Sequence, residues 1–156
     1  MKHLILFYSR TGTTKKVAQE LAAKTGWEIC EIFDTKDRSG AIGYLTAGRD
    51  ATTKKLTTLK PIEKNIADFD TIVIGTPVWG WIVSTPIRTF LEQNKQQLKN
   101  VAFYCTMGGS GDVRTFQEME HICEVKPKTV LALTTKEVLQ NDISNKLDIF
   151  ISGIKI

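Results

Sequence analysis

Apolar and polar positions alternate along this chain in two rhythms. Short apolar runs rich in β-branched and aromatic residues occupy 3–8, 27–33, 70–75, 101–106 and 129–134, and predict strands. Between them apolar positions recur every three or four residues, the helical period. Val17, Ala18, Leu21 and Ala22 share one face of a first helix, which Gly26 ends as a C-terminal cap. A helix over 86–97 has Thr85 as expected N-cap, Pro86 at its first position, and Ile87, Phe90 and Leu91 inward. Another begins near Asp112, with Val113, Phe116 and Cys123 inward. The last places Ile143, Leu147, Phe150, Ile151 and Ile154 on one buried stripe. The pattern over 39–56 is weaker, because Gly40, Gly43 and Gly48 lower helix propensity. Ile42 and Leu45 still predict a short helix there, with a loop after it.

Thr71-Ile72-Val73-Ile74 is apolar on both faces, which suits a buried parallel strand. Repeated strand–helix units predict a doubly wound α/β fold, a parallel sheet with helices on both sides. No linker or repeat interrupts them, so a single domain over 1–156 is expected.

Composition narrows the partners only a little. A net charge of +4 is mild, and the lysines are scattered rather than interleaved with aromatics, so nucleic acid is not an expected ligand. The three cysteines, Cys30, Cys105 and Cys123, are odd in number and far apart, as in reduced cytosolic thiols. Two histidines, His3 and His121, are too few for a histidine metal site, and no metal is expected. The chain enters a strand directly after Met1-Lys2, without a visible signal peptide, and no apolar run spans a bilayer. A cytoplasmic protein is the default expectation.

Candidate chemistry lies in three loops. In a parallel α/β sheet, ligands bind beyond the carboxyl ends of the strands, near the point where strand order reverses. After the first strand comes Ser9-Arg10-Thr11-Gly12-Thr13-Thr14, with four hydroxyls and one glycine in six residues. The helix behind it aims free N–H groups and a positive dipole end at the same spot, the arrangement that holds a phosphate. A Walker loop needs a Gly-Lys pair, and a dinucleotide fingerprint needs Gly-x-Gly-x-x-Gly; neither is present. After the third strand comes Gly75-Thr76-Pro77-Val78-Trp79-Gly80-Trp81, a tryptophan-bearing turn. After the fourth comes Thr106-Met107-Gly108-Gly109-Ser110-Gly111-Asp112, where backbone can approach a flat ligand. Together they fit a planar ring system with a phosphorylated tail. Rival chemistries of the same strand edge are not supported. A receiver domain needs acids after the first and third strands, where Tyr8-Ser9 and Gly75-Thr76 stand. A low-molecular-weight phosphatase needs a cysteine in the first loop, which has none. Cys105 falls within a strand and reads as packing; His121 reads as a helix-surface residue.

These motifs resemble those of the flavodoxin family. Ser9-x-Thr11-Gly12-x-Thr14 looks like its phosphate loop, and Gly75 to Gly80 with Ser84 to Leu91 resemble its second flavin loop and following helix. Ser39 to Asp50 resembles a segment of a small bacterial and archaeal branch, and Cys105 to Gly111 fits the third loop. The resemblance implies a five-stranded sheet in order 2-1-3-4-5 and non-covalent FMN. It implies that Ser9, Arg10, Thr11, Gly12, Thr13 and Thr14 surround the FMN phosphate. Thr76, Pro77, Val78, Trp79 and Gly80 would flank one side of the isoalloxazine, with Trp79 rather than Trp81 against the ring. Met107, Gly108, Gly109, Gly111 and Asp112 would flank the other. The chain departs from acidic, electron-carrying flavodoxins in being basic and in lacking a third-loop tyrosine. Three functions stay open at this point. One is electron transfer with a redox partner protein or a small-molecule donor or acceptor. Another is an NAD(P)H-dependent FMN or quinone reductase. The third is a binding module without redox chemistry.

Overall fold

The computed structural model describes residues 1–155. Its strands are β1 (His3–Phe7), β2 (Glu28–Glu31), β3 (Thr71–Trp79), β4 (Ile82–Val83), β5 (Asn100–Met107) and β6 (Val130–Thr134). The order is β2-β1-β3-β5-β6, all parallel, with β4 folded back antiparallel on the end of β3. Setting β4 aside, this is the expected 2-1-3-4-5 arrangement.

The helices are α1 (Thr13–Thr25), α2 (Gly40–Thr52), α3 (Thr85–Asn94), α4 (Asp112–Cys123), α5 (Thr135–Leu139) and α6 (Ser144–Lys155). They cover both faces of the sheet, so strand side chains are buried alternately on each side. Leu4 and Leu6 of β1 join Phe90 and Leu91 of α3 and Phe116 and Met119 of α4. Ile5 and Phe7 join Val17 and Leu21 of α1 and Leu147 and Phe150 of α6. Each such fully buried side chain contributes roughly 1.5–3 kcal/mol.

The structure departs from the sequence expectations at several places. The N-cap of α3 is Ser84, and Thr85 lies buried inside the helix with its hydroxyl unpartnered. The helix ends at Asn94 and tightens into a 3₁₀ turn over Lys95–Gln97. Helix α2 runs a full 13 residues rather than forming the short helix expected. It buries its small residues, Gly43, Ala47 and Ala51, while Ile42 and Leu45 face outward at 82% and 71% exposure. A Cβ on Gly43 would lie 2.2 Å from the Arg38 carbonyl, so the glycine lets the helix sit directly on that backbone. Helix α5 was not expected; Thr134 and Glu137 start it with a reciprocal capping box. The Lys146 ammonium and then the Thr134 backbone and hydroxyl hold the Glu137 carboxyl down at about 2.

Strand β3 continues through Thr76, Pro77 and Val78 to Trp79, residues read from sequence as a loop. Val78 pairs with Val83 and Trp79 with Ile82, leaving Gly80 and Trp81 as a two-residue turn. Both turn residues have positive φ, +58° and +63°. That is the hairpin geometry matching the right-handed twist of the strands. Glycine adopts it freely; a tryptophan there is unusual and must be held by its surroundings.

Candidate functional site

Three walls meet beyond the carboxyl ends of β1, β3 and β5. They enclose a cleft of about 450 Å³. The hairpin supplies Val78, Trp79, Gly80 and Trp81; the loop after β5 supplies Gly108, Gly109 and Ser110. The third wall is α2, through Tyr44, Leu45, Gly48, Arg49 and Thr52. Sequence reasoning missed this wall. Its signal was present: small residues at 43, 47 and 51 form a helical stripe, which leaves the bulky residues for the other face.

The two tryptophans of the hairpin both line the cleft but differ in burial. Trp79 is only 7% exposed; its ring packs edge-on to Tyr8 at 5.4 Å and lies 5.3 Å from the Arg38 guanidinium. Trp81 is 62% exposed on the cleft, and its indole N–H donates to the Ser110 hydroxyl at 3.2 Å. Trp81 therefore presents its ring to the cleft, while Trp79 packs against Tyr8 and Arg38. Strand alternation alone would put residues 79 and 81 on one face; the positive-φ turn at Gly80 and Trp81 breaks it and separates the two rings. Thr76 was expected at a ligand, but it is fully buried and its hydroxyl accepts the Ser84 N–H at 3.1 Å. Pro77 and Met107 are half-buried beside the cleft, and the Met107 carbonyl accepts from Thr135 at 3.3 Å. Gly111 caps α4 with φ +106°, and a Cβ there would lie 2.8 Å from Val78. Asp112 follows as the first residue of α4.

The hydroxyl loop follows β1 outside the lining of that cleft, and its Ser9 and Arg10 border a second, smaller cavity with Tyr8, Lys36 and Arg38. Gly12, at φ +98°, is the N-cap of α1. The Ser9 hydroxyl accepts from the N–H groups of Gly12 at 3.0 Å and Lys15 at 3.2 Å. Among the described residues, the amides of Thr11, Thr13 and Thr14 have no protein acceptor. Three free donors at the positive end of a helix suit an anion. The Thr14 side chain, expected on the anion, is buried and lies 2.8 Å from the Thr106 hydroxyl. It shares the inward stripe of Val17, Ala18 and Leu21, which points it at the sheet. The Tyr104 hydroxyl donates to the Thr14 carbonyl at 3.2 Å and braces the loop from below.

Arg10 connects this loop to the cleft. Its guanidinium sits 5.4 Å from the Tyr44 ring centroid and donates to the Arg38 carbonyl at 3.4 Å. Arg38 in turn is a buried hub. Its Nε lies 2.5 Å from Asp34 and its Nη1 3.0 Å from Asp50. Burial alone would raise the Asp50 carboxyl; hydrogen bonds and charge from Arg38 and Lys36 outweigh it and hold the group below its usual range. Burial and the nearby Asp34 push the Tyr8 phenol up to about 12. Burial likewise raises the Cys105 thiol to about 12, so it is no nucleophile at neutral pH. Among the described residues, no cluster of His, Cys, Asp and Glu could hold a metal ion, and no helix is long and apolar enough to cross a membrane.

The sequence profile of the family described as flavodoxin matches residues 2–147. The chain belongs to the flavodoxin family. The flavodoxin fold recurs in solved structures that are similar to it over nearly their whole length. One is a flavoprotein from Lactobacillus acidophilus NCFM, solved in complex with FMN. It shares 26% identity at TM-score 0.74, covering 89% of this chain and 97% of its own. A Bacteroides eggerthii DSM 20697 protein shares 24% identity at TM-score 0.76, covering 96% and 98%. Oxidised flavodoxin 1 from Bacillus cereus shares the fold at 14% identity and TM-score 0.55, covering 99% and 98%. No curated protein matches the sequence.

Proposed function

We propose that this flavodoxin-family chain binds FMN non-covalently and passes electrons through it. The observation that carries the reading is the juxtaposition of the unpaired amides of Thr11, Thr13 and Thr14 with an aromatic-walled cleft, bridged by Arg10. The donor set fits a phosphate dianion, and the cleft volume falls in the range of small-molecule sites. FMN, when bound, supplies the redox chemistry; the protein supplies binding, orientation and electrostatics. Ser9 shapes the loop, the amides hold the phosphate, and Trp81 and Tyr44 offer ring faces. The backbone of Gly108 and Gly109 allows close approach. No side-chain acid or base is needed for electron transfer. The FMN complex of the Lactobacillus relative supports the same reading.

The deciding experiment is anaerobic titration of the FMN-loaded protein with NADPH and NADH. Reduction by dithionite with no response to either nucleotide is the expected result. Rapid bleaching by NADPH alone would replace the carrier by an NAD(P)H-dependent reductase. Failure to take up FMN would remove both readings.

Two substitutions probe the binding geometry. Thr11→Ala keeps the amide but removes the exposed Thr11 hydroxyl, which we take to be a further donor to the phosphate; it is expected to weaken FMN roughly tenfold or more, because a hydrogen bond to a charged group is worth about 1.5–3 kcal/mol. Riboflavin, which lacks the phosphate, should bind both proteins alike; fluorescence quenching measures both affinities. Trp81→Ala is expected to raise the fluorescence of bound FMN and to loosen it by about 0.5–1.5 kcal/mol, the value of an aromatic pair beyond burial. Trp79→Ala should instead lower the melting temperature. The opposite assignment of effects to the two tryptophans would overturn the roles given to them.

A further inference from the structure

We infer that Arg49 fits this cleft to the anionic, two-electron-reduced state of the flavin; the inference rests on the FMN reading. Among the described residues, Arg49 is the one ionic side chain that lines the cleft. The other lining residues are glycines, hydroxyl-bearing and apolar side chains, and aromatic rings, with the Tyr44 phenol as the only further titratable group. No carboxylate is among them. The Arg49 side chain is 65% exposed, and its Nη2 lies 3.5 Å from Asp50 Oδ1, an oxygen that takes no hydrogen bond. The other Asp50 oxygen is already engaged, accepting from Arg38 at 3.0 Å and Lys36 at 3.3 Å. The charge of Arg49 is thus only partly met within the protein.

The remaining charges near this wall lie outside the lining. Arg10 stands against the Tyr44 ring, Lys54 pairs with Glu118, and Asp112 opens α4 beyond Gly111. The exposed Asp37 borders the second cavity with Lys36 and accepts from the Ser39 N–H and hydroxyl. The negative end of α2 would oppose a cation here, but it is covered. The Gly48 carbonyl accepts the Thr52 hydroxyl, and the Arg49 carbonyl accepts both the N–H and the hydroxyl of Thr53.

A single cation in an otherwise uncharged cleft acts on the charge of the ring it faces. The oxidised isoalloxazine is neutral. Two electrons and one proton, supplied in the test by dithionite and water, leave it with one negative charge; a second proton would neutralise it. A nearby opposite charge favours the ionised form, by about ten- to a thousandfold where the pair is close. Arg49 is more than half exposed, which places its effect at the low end, about tenfold. Arg49 should therefore strengthen the hold on the reduced ring and leave the oxidised ring nearly alone. Differential affinity for two states is what shifts the equilibrium between them. An exposed arginine serving only solubility would move neither.

The test uses the FMN-loaded full chain, reduced stepwise with dithionite under argon against an indicator dye of known potential. Fluorescence quenching gives the affinity for oxidised FMN, and the midpoint potential then gives that for the reduced state. Arg49→Gln is expected to leave oxidised FMN nearly unaffected and to weaken reduced FMN about tenfold, read as a midpoint about 30 mV lower for the two-electron couple. The inflexion of midpoint against pH, where the reduced ring loses its second proton, should rise by about one pH unit in the same variant. Arg49→Lys, which keeps the charge, should restore most of both. Lys54→Gln removes a cation outside the lining and should leave the midpoint in place, separating Arg49 from the charge of the whole chain. Equal weakening of both states in Arg49→Gln, an unmoved midpoint, or a shift as large in Lys54→Gln would overturn the inference. So would Arg49→Lys behaving as Arg49→Gln. Failure of the unmodified chain to take up FMN would instead strike the functional reading beneath it.

Discussion

Replacing Arg38 by methionine is expected to cost about 3–5 kcal/mol of folding stability, because two buried carboxylates then lose their shared cation. In a domain of this size that corresponds to a fall in melting temperature on the order of 10 °C. The pH dependence should also weaken. In the native chain Asp50 titrates below its usual value. Its contribution is therefore present above the unfolded value of about 3.9 and is lost as pH falls through the lower folded value. Without Arg38, only Lys36 and Arg49 oppose burial at Asp50, and its folded carboxyl titrates higher than in the native chain. The variant should then lose less stability than the native chain as pH falls through the carboxylate range. Thermal melts across that range measure both effects. A variant that melts within a degree or two of the native chain, with the same pH slope, would show that the hub does not hold α2 in place.

Gly75→Ala is the second large expected effect. Gly75 pairs with Phe7 on one side and Tyr104 on the other, at the centre of the sheet. A Cβ there would lie 2.0 Å from the Tyr104 ring. The ring is fully buried and cannot swing into solvent. Overpacking a core of this kind costs about 1–3 kcal/mol, and more where the neighbour cannot shift. The damage should reach the ligand loop, since the displaced hydroxyl is the one that braces the Thr14 carbonyl. Tyr104→Phe separates the two causes: it keeps the ring and removes only the hydrogen bond, worth about 0.5–1.5 kcal/mol. Denaturant melts and FMN titrations on both variants should show the larger loss in Gly75→Ala. Equal losses would place the effect in the hydrogen bond rather than in the space beside Gly75.

The sheet was legible because β1, β3 and β5 are apolar runs of strand length, and the helices because their stripes recur at helical spacing. The hydroxyl loop was legible as the β1–α1 connection because a Ser/Thr-Gly run separates an apolar strand from a helical stripe. What failed did so for identifiable reasons. Thr76 to Trp79 carry a proline and sit between glycines, signals of a loop, yet the β-branched Thr76 and Val78 extend β3 and the turn waits until Gly80. Ile42 and Leu45 suggested a core face, but on α2 the small residues are the ones against the protein, because the Arg38 backbone leaves no room for larger ones. The Arg38 hub joins residues 34, 38 and 50 through space, and no local pattern announces it. Thr14 had the right chemistry for an anion, but its place on the buried stripe of α1 sends its hydroxyl elsewhere.

The hairpin at the end of β3 gives the cleft one fixed jaw. Its two strands are laddered to each other, and β3 is laddered to β5 as far as Pro77, so that face is set before any ligand arrives and loses little freedom when one does. The opposite jaw, Gly108 to Ser110, is exposed backbone with two adjacent glycines, and its atoms must be ordered by whatever they clasp. Shape selection then belongs to the rigid side, and tolerance of the different charge states of one ring belongs to the yielding side.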